Sequence, residues 1–182
     1  MPEDKIVQFV FFETVLESSE FINEWERFVR SENHDVKVTL QQTPAKNGFK
    51  YIAQHYSVTD EFSFVFFRPK RSAKIAEVEI RAKKAGGYML IQEEQLKKTK
   101  ADESKVFVFL PDRPHDFSAY NLSTPDRKLN IYEAYYENCQ YACILEFFVK
   151  NKYLEQLLDH LKQYNAAETG IYKECVLHAL NS

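Results

Sequence analysis

The chain has 182 residues, 24 basic and 27 acidic, with a net charge of −3; 45% are hydrophobic and 15% aromatic. That length bounds it to one ordinary domain or two small ones packed together, and only four glycines and six prolines argue against a disordered or loop-rich chain. Charges of both signs are mixed along the chain, so no basic face exists to neutralise several phosphates, and a nucleic-acid binder is excluded. The clusters Arg68-Pro69-Lys70-Arg71 and Lys97-Lys98-Thr99-Lys100 are each followed by acids and read as solvated turns. The acidic start MPEDKIVQFVFFET lacks the pattern of a secretory signal, and no run approaches the roughly 20 apolar residues of a membrane helix. Three late cysteines, Cys139, Cys143 and Cys175, make no disulfide framework. The expectation is a cytoplasmic protein without a membrane span, its homo-oligomeric state left open.

Lys5–Val15 is rich in β-branched and aromatic residues and predicts a first strand. Phe21, Ile22, Trp25, Phe28 and Val29 then recur at helical spacing behind a serine N-cap at 18 or 19, which predicts a helix ending near His34. Val36–Gln41 reads as a strand, Thr43–Gly48 as a turn whose Asn47-Gly48 supplies positive φ, and Phe49–Ser57 with Phe62–Phe67 as a further strand pair. Residues 72–85 fit two patterns. As a strand, Ala76, Val78, Ile80 and Ala82 alternate with charges and Gly86-Gly87 turns the chain; as a helix, Ile75, Val78, Ala82 and Ala85 form a stripe with Gly86 as C-cap. Tyr88–Glu94 is a strand under both.

After the linker-like stretch 96–104, strands follow at Val106–Leu110, Leu129–Glu137 and Tyr141–Val149, the last two a hairpin across Asn138–Gln140. A turn of helix is expected around Phe117–Leu122. The clearest helix carries Tyr153, Leu154, Leu157, Leu158, Leu161 and Tyr164 on one face; Gly170 then permits an exit into a last strand, Ile171–Leu177.

The chain reads as one unit written twice. Lys5-Ile-Val-Gln-Phe and Lys105-Val-Phe-Val-Phe open two halves, 1–98 and 99–182. Setting Phe66-Phe67 over Phe147-Phe148 brings Tyr51 over Tyr132 and Ala53 over Ala134. Each half follows β-α-β-β-α-β, the ferredoxin-like motif, so the expected fold is α+β: two such halves as an internal pseudo-dimer with antiparallel sheets. One long antiparallel sheet with helices on one face is the alternative.

The hairpin running into YACILEFFVKNKYLEQLLDHLKQYN and closing in GIYKECVL resembles the second half of the antibiotic-monooxygenase-like units of the dimeric α+β barrel superfamily. VQFVFFETVLESSEFINEWERFVRS is similar to the other half of such a unit. The resemblance lies in element order and apolar periodicity over most of the chain and implies a fold. Members include cofactor-free oxygenases, haem-dependent enzymes and proteins with no known activity. No position matches a catalytic motif of the family, so no functional residue carries over.

Candidate chemistry is therefore read from single residues. The histidines, His34, His55, His115, His160 and His178, fall in no metal-binding spacing, and the cysteines lack CxxC, so no metal is expected. His55 shares a strand face with Tyr51, Ala53 and Ser57; a neutral imidazole there serves as a base or haem ligand, or as a hydrogen-bonded sheet histidine. Glu13 shares a face with Val7, Phe9 and Phe11, and Glu146 with Ala142, Ile144 and Phe148. Facing inward, either is a candidate general base; facing outward, both are ordinary polar residues. Tyr132, Tyr135, Tyr136 and Tyr141, with Tyr51 and Tyr56, suit either an amphipathic ligand pocket or cross-strand packing; Tyr51, Tyr132 and Tyr136 are the ligand-binding candidates. Pro111–Asp116 reads as a polar rim or a surface turn, and Cys143 as a core thiol.

Three function classes follow: a module binding a small apolar or aromatic ligand; an enzyme of the cofactor-free monooxygenase or haem-dependent type, using His55 or a buried glutamate; and an interaction domain. The absence of a catalytic motif puts binding first.

Overall fold

The computed structural model describes residues 6–12, 18–31, 36–42, 51–57, 85–94, 101–120, 127–135, 139–162 and 169–178. Eight described strands, β1 (Ile6–Phe12), β2 (Val36–Gln42), β3 (Tyr51–Ser57), β4 (Ala85–Gln92), β5 (Glu103–Leu110), β6 (Lys128–Ala134), β7 (Cys143–Lys150) and β8 (Thr169–His178), form one antiparallel sheet closed into a barrel. Around it the order is β1-β3-β2-β8-β5-β7-β6-β4, with β4 returning to β1. The helices are α1 (Ser18–Ser31) and α2 (Leu154–Lys162). No described helix is long and apolar enough to cross a membrane.

Alternation along each strand divides the molecule into an inside and an outside. Val7, Phe9 and Phe11 of β1, Ile52 of β3, Tyr88 of β4, Phe107 and Phe109 of β5, Tyr132 of β6 and Ile144 of β7 form one buried cluster. Strands β1 and β5 stand opposite one another in the barrel, yet their rings touch: Phe9 and Phe107 are 6.1 Å apart, Phe11 and Phe109 5.7 Å, both edge to face. An eight-stranded barrel is just wide enough for its own side chains to fill or to hold one small ligand, and here aromatic rings from opposite walls meet inside it. A second cluster lies on the outer face of β5, β6 and β7. Val106, Val108, Leu129, Ile131, Leu145 and Phe147 pack there with Leu157 and Leu161 of α2, the i,i+4 pair that the helical periodicity requires. On the far side, Phe21 of α1 stacks on Tyr51 with centroids 4.3 Å apart.

The strand order contains two runs with the same internal sequence, β4-β1-β3-β2 and β8-β5-β7-β6. Their registers match position by position. Phe9 faces Gln54 on β3 and Gly86 on β4; Phe107 faces Glu146 on β7 and Gly170 on β8. Phe11 faces Ile52 and Phe109 faces Ile144; Val7 faces Tyr88 and Lys105 faces Tyr172. The register shifts fall at the joins between runs, at Leu40/Gln41 where β2 meets β8 and at Leu90/Gln92 where β4 meets β6.

Several expectations need correction. Within the expected strand Phe49–Ser57, β3 has both edges occupied, by β1 and by β2; its expected partner Phe62–Phe67 lies outside the described residues. Gly86-Gly87 does not turn the chain but lies within β4. A Cβ on Gly86 would stand 2.9 Å from both Cys139 Sγ and the Tyr88 ring, so close packing explains that glycine. Gly170 likewise lies inside β8 rather than before it. The alignment of Tyr51 with Tyr132 pairs β3, third in its run, with β6, fourth in the other; the ladders instead place Gln54 and Glu146 at matching positions. Residues 72–84, contested between helix and strand, lie outside the described residues.

Candidate functional site

Four polar side chains are buried in the described part of the molecule: Gln54, Lys105, Asn130 and Glu146. All four have the parity of the barrel interior. Lys105 alternates with Phe107 and Phe109, Asn130 with Tyr132, Gln54 with Ile52 and Glu146 with Ile144, and those apolar partners all belong to the interior cluster. A polar centre therefore sits inside an aromatic barrel.

Glu146 is its hub. Its Oε1 is paired with Lys105 Nζ at 3.0 Å, the side chains being 0% and 4% exposed, and also accepts from Gln54 Nε2 at 3.4 Å. Its Oε2 accepts from the Tyr132 hydroxyl at 2.5 Å and from Asn130 Nδ2 at 3.3 Å. A carboxylate offers about four lone-pair sites, and four donors from three strands converge on this one. Register explains the convergence: Asn130 on β6 and Phe107 on β5 flank Glu146 directly, Lys105 is one interior position along β5, and Gln54 reaches across from the opposite wall, its Nε2 also 3.5 Å from the Tyr132 oxygen. The Lys105 ammonium lies over the rings of Phe148 at 5.0 Å and Phe107 at 5.9 Å, so aromatic faces as well as the carboxylate offset its burial. Burying two charges is expensive, and removing one partner of such a pair costs about 3–5 kcal/mol.

The sequence candidates are dispersed by this arrangement. Glu146 faces inward and anchors the site. Tyr132 joins it directly, with its ring edge to face on Phe9 at 4.9 Å. Tyr51 is on the other face of the wall, beneath α1, because it is one residue out of phase with Ile52; Tyr51 and Tyr132 do not share a pocket. Tyr141 is buried among Phe11 and Phe109, Tyr135 is half exposed, and Tyr88 accepts the Tyr141 backbone N–H at 3.4 Å, its hydroxyl held neutral because burial raises its pKa. His55 sits on β3 between Gln8 and Val38; its side chain, with Glu13 and Tyr136, lies outside what is described. Among the described residues no group of His, Cys, Asp and Glu could hold a metal ion.

The turn at Pro111–Asp116 is a surface clasp. Arg113 pairs with Glu133 at 2.8 Å and lies over Phe117. Asp116 caps the 3-10 turn Ser118–Tyr120 by accepting from the Ser118 N–H and hydroxyl, which lowers its pKa. Cys143 is a buried thiol, its pKa pushed up to about 11 chiefly by desolvation.

Lys105, Asn130 and Gln54 were not singled out from sequence, although a signal existed. Each is a polar residue in phase with the large apolar residues of its own strand, as Glu146 is. What the pattern could not supply is that four such residues from four strands meet.

No family model and no curated protein matches the chain. Solved structures do match in fold. A "putative monooxygenase" from Lactobacillus acidophilus NCFM aligns over 96% of both chains with a TM-score of 0.56 at 12% identity. Another from Fusobacterium nucleatum subsp. nucleatum ATCC 25586 aligns over 100% of this chain and 97% of its own, with a TM-score of 0.60 at 10% identity. An anthrone oxidase-like protein aligns over 97% and 93%, with a TM-score of 0.58 at 9% identity. At 9–12% identity these likenesses show a shared fold, consistent with the resemblance in element order seen in the sequence.

Proposed function

We propose that this protein binds a small aromatic molecule and oxidises it in the manner of a monooxygenase, with Glu146, Lys105 and Tyr132 as its polar centre. The observation that carries the reading is the ion pair Lys105–Glu146 at 3.0 Å, enclosed by aromatic rings. Lysine and glutamate are almost never fully buried unless paired, and a few convergent polar groups in an apolar, aromatic interior are the pattern of a small-molecule site. The names carried by the fold neighbours support the reaction class, though fold by itself does not give function.

The chemistry suits a phenolic or enolic hydroxyl. Tyr132 already presents a phenol to Glu146 at 2.5 Å, and both carboxylate oxygens carry two donors. A substrate hydroxyl therefore reaches Glu146 by displacing a donor, and Tyr132 is the one of like chemistry. Glu146 then accepts the hydroxyl proton or its hydrogen bond, while the Lys105 ammonium stabilises the oxyanion left behind. An electron-rich anion of this kind can be oxidised by O₂. Conversion of a ring methylene to a carbonyl consumes one O₂, leaves one oxygen atom in the product and releases the other as water, so no outside reductant is needed. A haem would need an axial donor facing the interior. Of the histidines whose side chains are described, His115 is on the exposed turn and His160 on α2, outside the barrel, so neither could supply that donor.

We also infer that residues 1–98 and 99–182 are two ferredoxin-like halves of an internal pseudo-dimer. The matching registers of the two strand runs, with Gly86 and Gly170 opposite Phe9 and Phe107, support this.

The test is oxygen uptake and product mass with a panel of anthrones, hydroquinones and simple phenols. Turnover of at least one class is expected, with Glu146→Gln slower by roughly 100-fold or more. No uptake with any member, together with no bound aromatic in native mass spectrometry, would overturn the reading.

A further inference from the structure

The strand β4 ends in a bulge. Leu90 faces Tyr132 but Gln92 faces Ile131, so two steps on β4 meet one on β6 and Ile91 is pushed out to solvent. Bulges re-aim side chains and backbone, often beside functional sites. Beyond this one, residues 92–94 fold back onto β6. Glu94 Oε2 accepts the Leu129 N–H at 2.6 Å, and Gln92 Nε2 donates to Glu94 Oε1 at 3.2 Å and to the Leu129 carbonyl at 3.4 Å. Beside this clasp, the Glu94 backbone N–H itself donates to Asn130 Oδ1 at 2.8 Å.

That contact decides which way the Asn130 amide faces. An asparagine side chain has one acceptor end and one donor end, and its orientation is set by the network around it. With Oδ1 taken by a backbone N–H, Nδ2 turns toward Glu146 Oε2, 3.3 Å away. The reversed amide would set a carbonyl oxygen against a carboxylate and an N–H₂ against an N–H.

We propose that Asn130 is a positioning residue for Glu146, with its amide orientation dictated from the surface by the Glu94 backbone. The buried carboxylate thereby has a mechanical link to an exposed strand end. The inference builds on the reading of Glu146 as the centre of the site, but its test needs no substrate.

In ¹⁵N NMR of the full chain, the Asn130 side-chain amide, assigned by its loss in Asn130→Leu, should appear as one sharp, slowly exchanging pair. Glu94→Pro deletes the N–H, and Glu94→Ala keeps it while removing the carboxylate. Glu94→Pro should shift or double the pair and raise its exchange roughly tenfold or more, the loss of about one hydrogen bond; Glu94→Ala should leave it in place. Equal effects of both, or no effect of Glu94→Pro, would overturn the proposal. Asn130→Asp provides a second measurement: a carboxylate facing Glu146 must share a proton with it, giving a protonated-carboxyl infrared band in the folded protein at neutral pH. A spectrum without that band would also overturn it. Should Asn130→Asp not fold, the Glu94 pair decides alone. Because these signals exist without turnover, their failure is distinguishable from failure to consume oxygen.

Discussion

The two runs of the barrel place different chemistry at matching positions. Where the β5–β7 pair carries Lys105 and Glu146, the β1–β3 pair carries Val7 and Gln54; the aromatic frame, Phe9 and Phe11 against Phe107 and Phe109, is the same in both. One wall is charged and the other neutral, and the neutral one serves the charged one through Gln54, whose amide crosses the interior to Glu146. A packed barrel has room on its axis for one hub. A second ion pair at the matching site would put two carboxylates within reach of each other, so the asymmetry follows from the closeness of the two walls.

The largest effect should come from breaking the charged wall unevenly. Lys105→Met leaves Glu146 buried without its cation and should lower stability by about 3–5 kcal/mol in urea unfolding, whereas Lys105→Met with Glu146→Leu should recover most of that loss. Equal losses in single and double variants would mean the pair is not desolvated as described. Next is Tyr132→Phe, which strips a donor from a buried carboxylate and should destabilise by about 1–3 kcal/mol; an unchanged unfolding midpoint would contradict the 2.5 Å contact.

On the neutral wall the effects should be smaller. The Gln54 contacts, 3.4 and 3.5 Å, are at the outer limit of hydrogen bonding, so Gln54→Leu should change stability by less than about 1 kcal/mol. Gln54→Glu sharpens the comparison, since the two carboxyls cannot both ionise and one folded-state pKa rises. The variant should then match its parent below the unfolded glutamate value of about 4.3 and lose stability progressively as pH rises through the folded value. Val7→Lys added to it should restore part of the loss. A pH-independent difference between Gln54→Glu and its parent would show that the walls do not communicate.

The smallest effect distinguishes two cysteines. Cys143 is buried with a pKa of about 11, while Cys139 is only partly covered. At pH 8 an alkylating reagent should modify Cys139 and spare Cys143, read by peptide mass mapping. The stability due to the neutral Cys143 thiol is intact below its unfolded pKa and is lost as pH rises through about 11.

The elements were legible because their signals are local. A period of two in KVFVFL or CILEFFVK, and the i,i+4 leucines of α2, record which face of each element is buried. The same parity placed Glu146 with Ile144 and Phe148 before any fold was known. Parity alone, however, does not say which face of a strand points to the barrel axis. In a closed barrel with helices outside, both faces are buried, and Tyr51 beneath α1 is as fully covered as Tyr132 inside.

The sequence by itself determined the eight described strands and two described helices to within a few residues, the α+β class and the presence of a carboxylate in a strand face otherwise occupied by large apolar residues. The tertiary structure decided the rest: that β3 gives its edges to β1 and β2, that Gly86 is a packing residue, and that Gln54, Lys105, Asn130 and Glu146, up to 92 residues apart in the chain, share one buried centre. Periodicity is a property of neighbours in sequence. A site assembled from four strands depends on register and barrel closure, which are set by pairing between segments far apart along the chain.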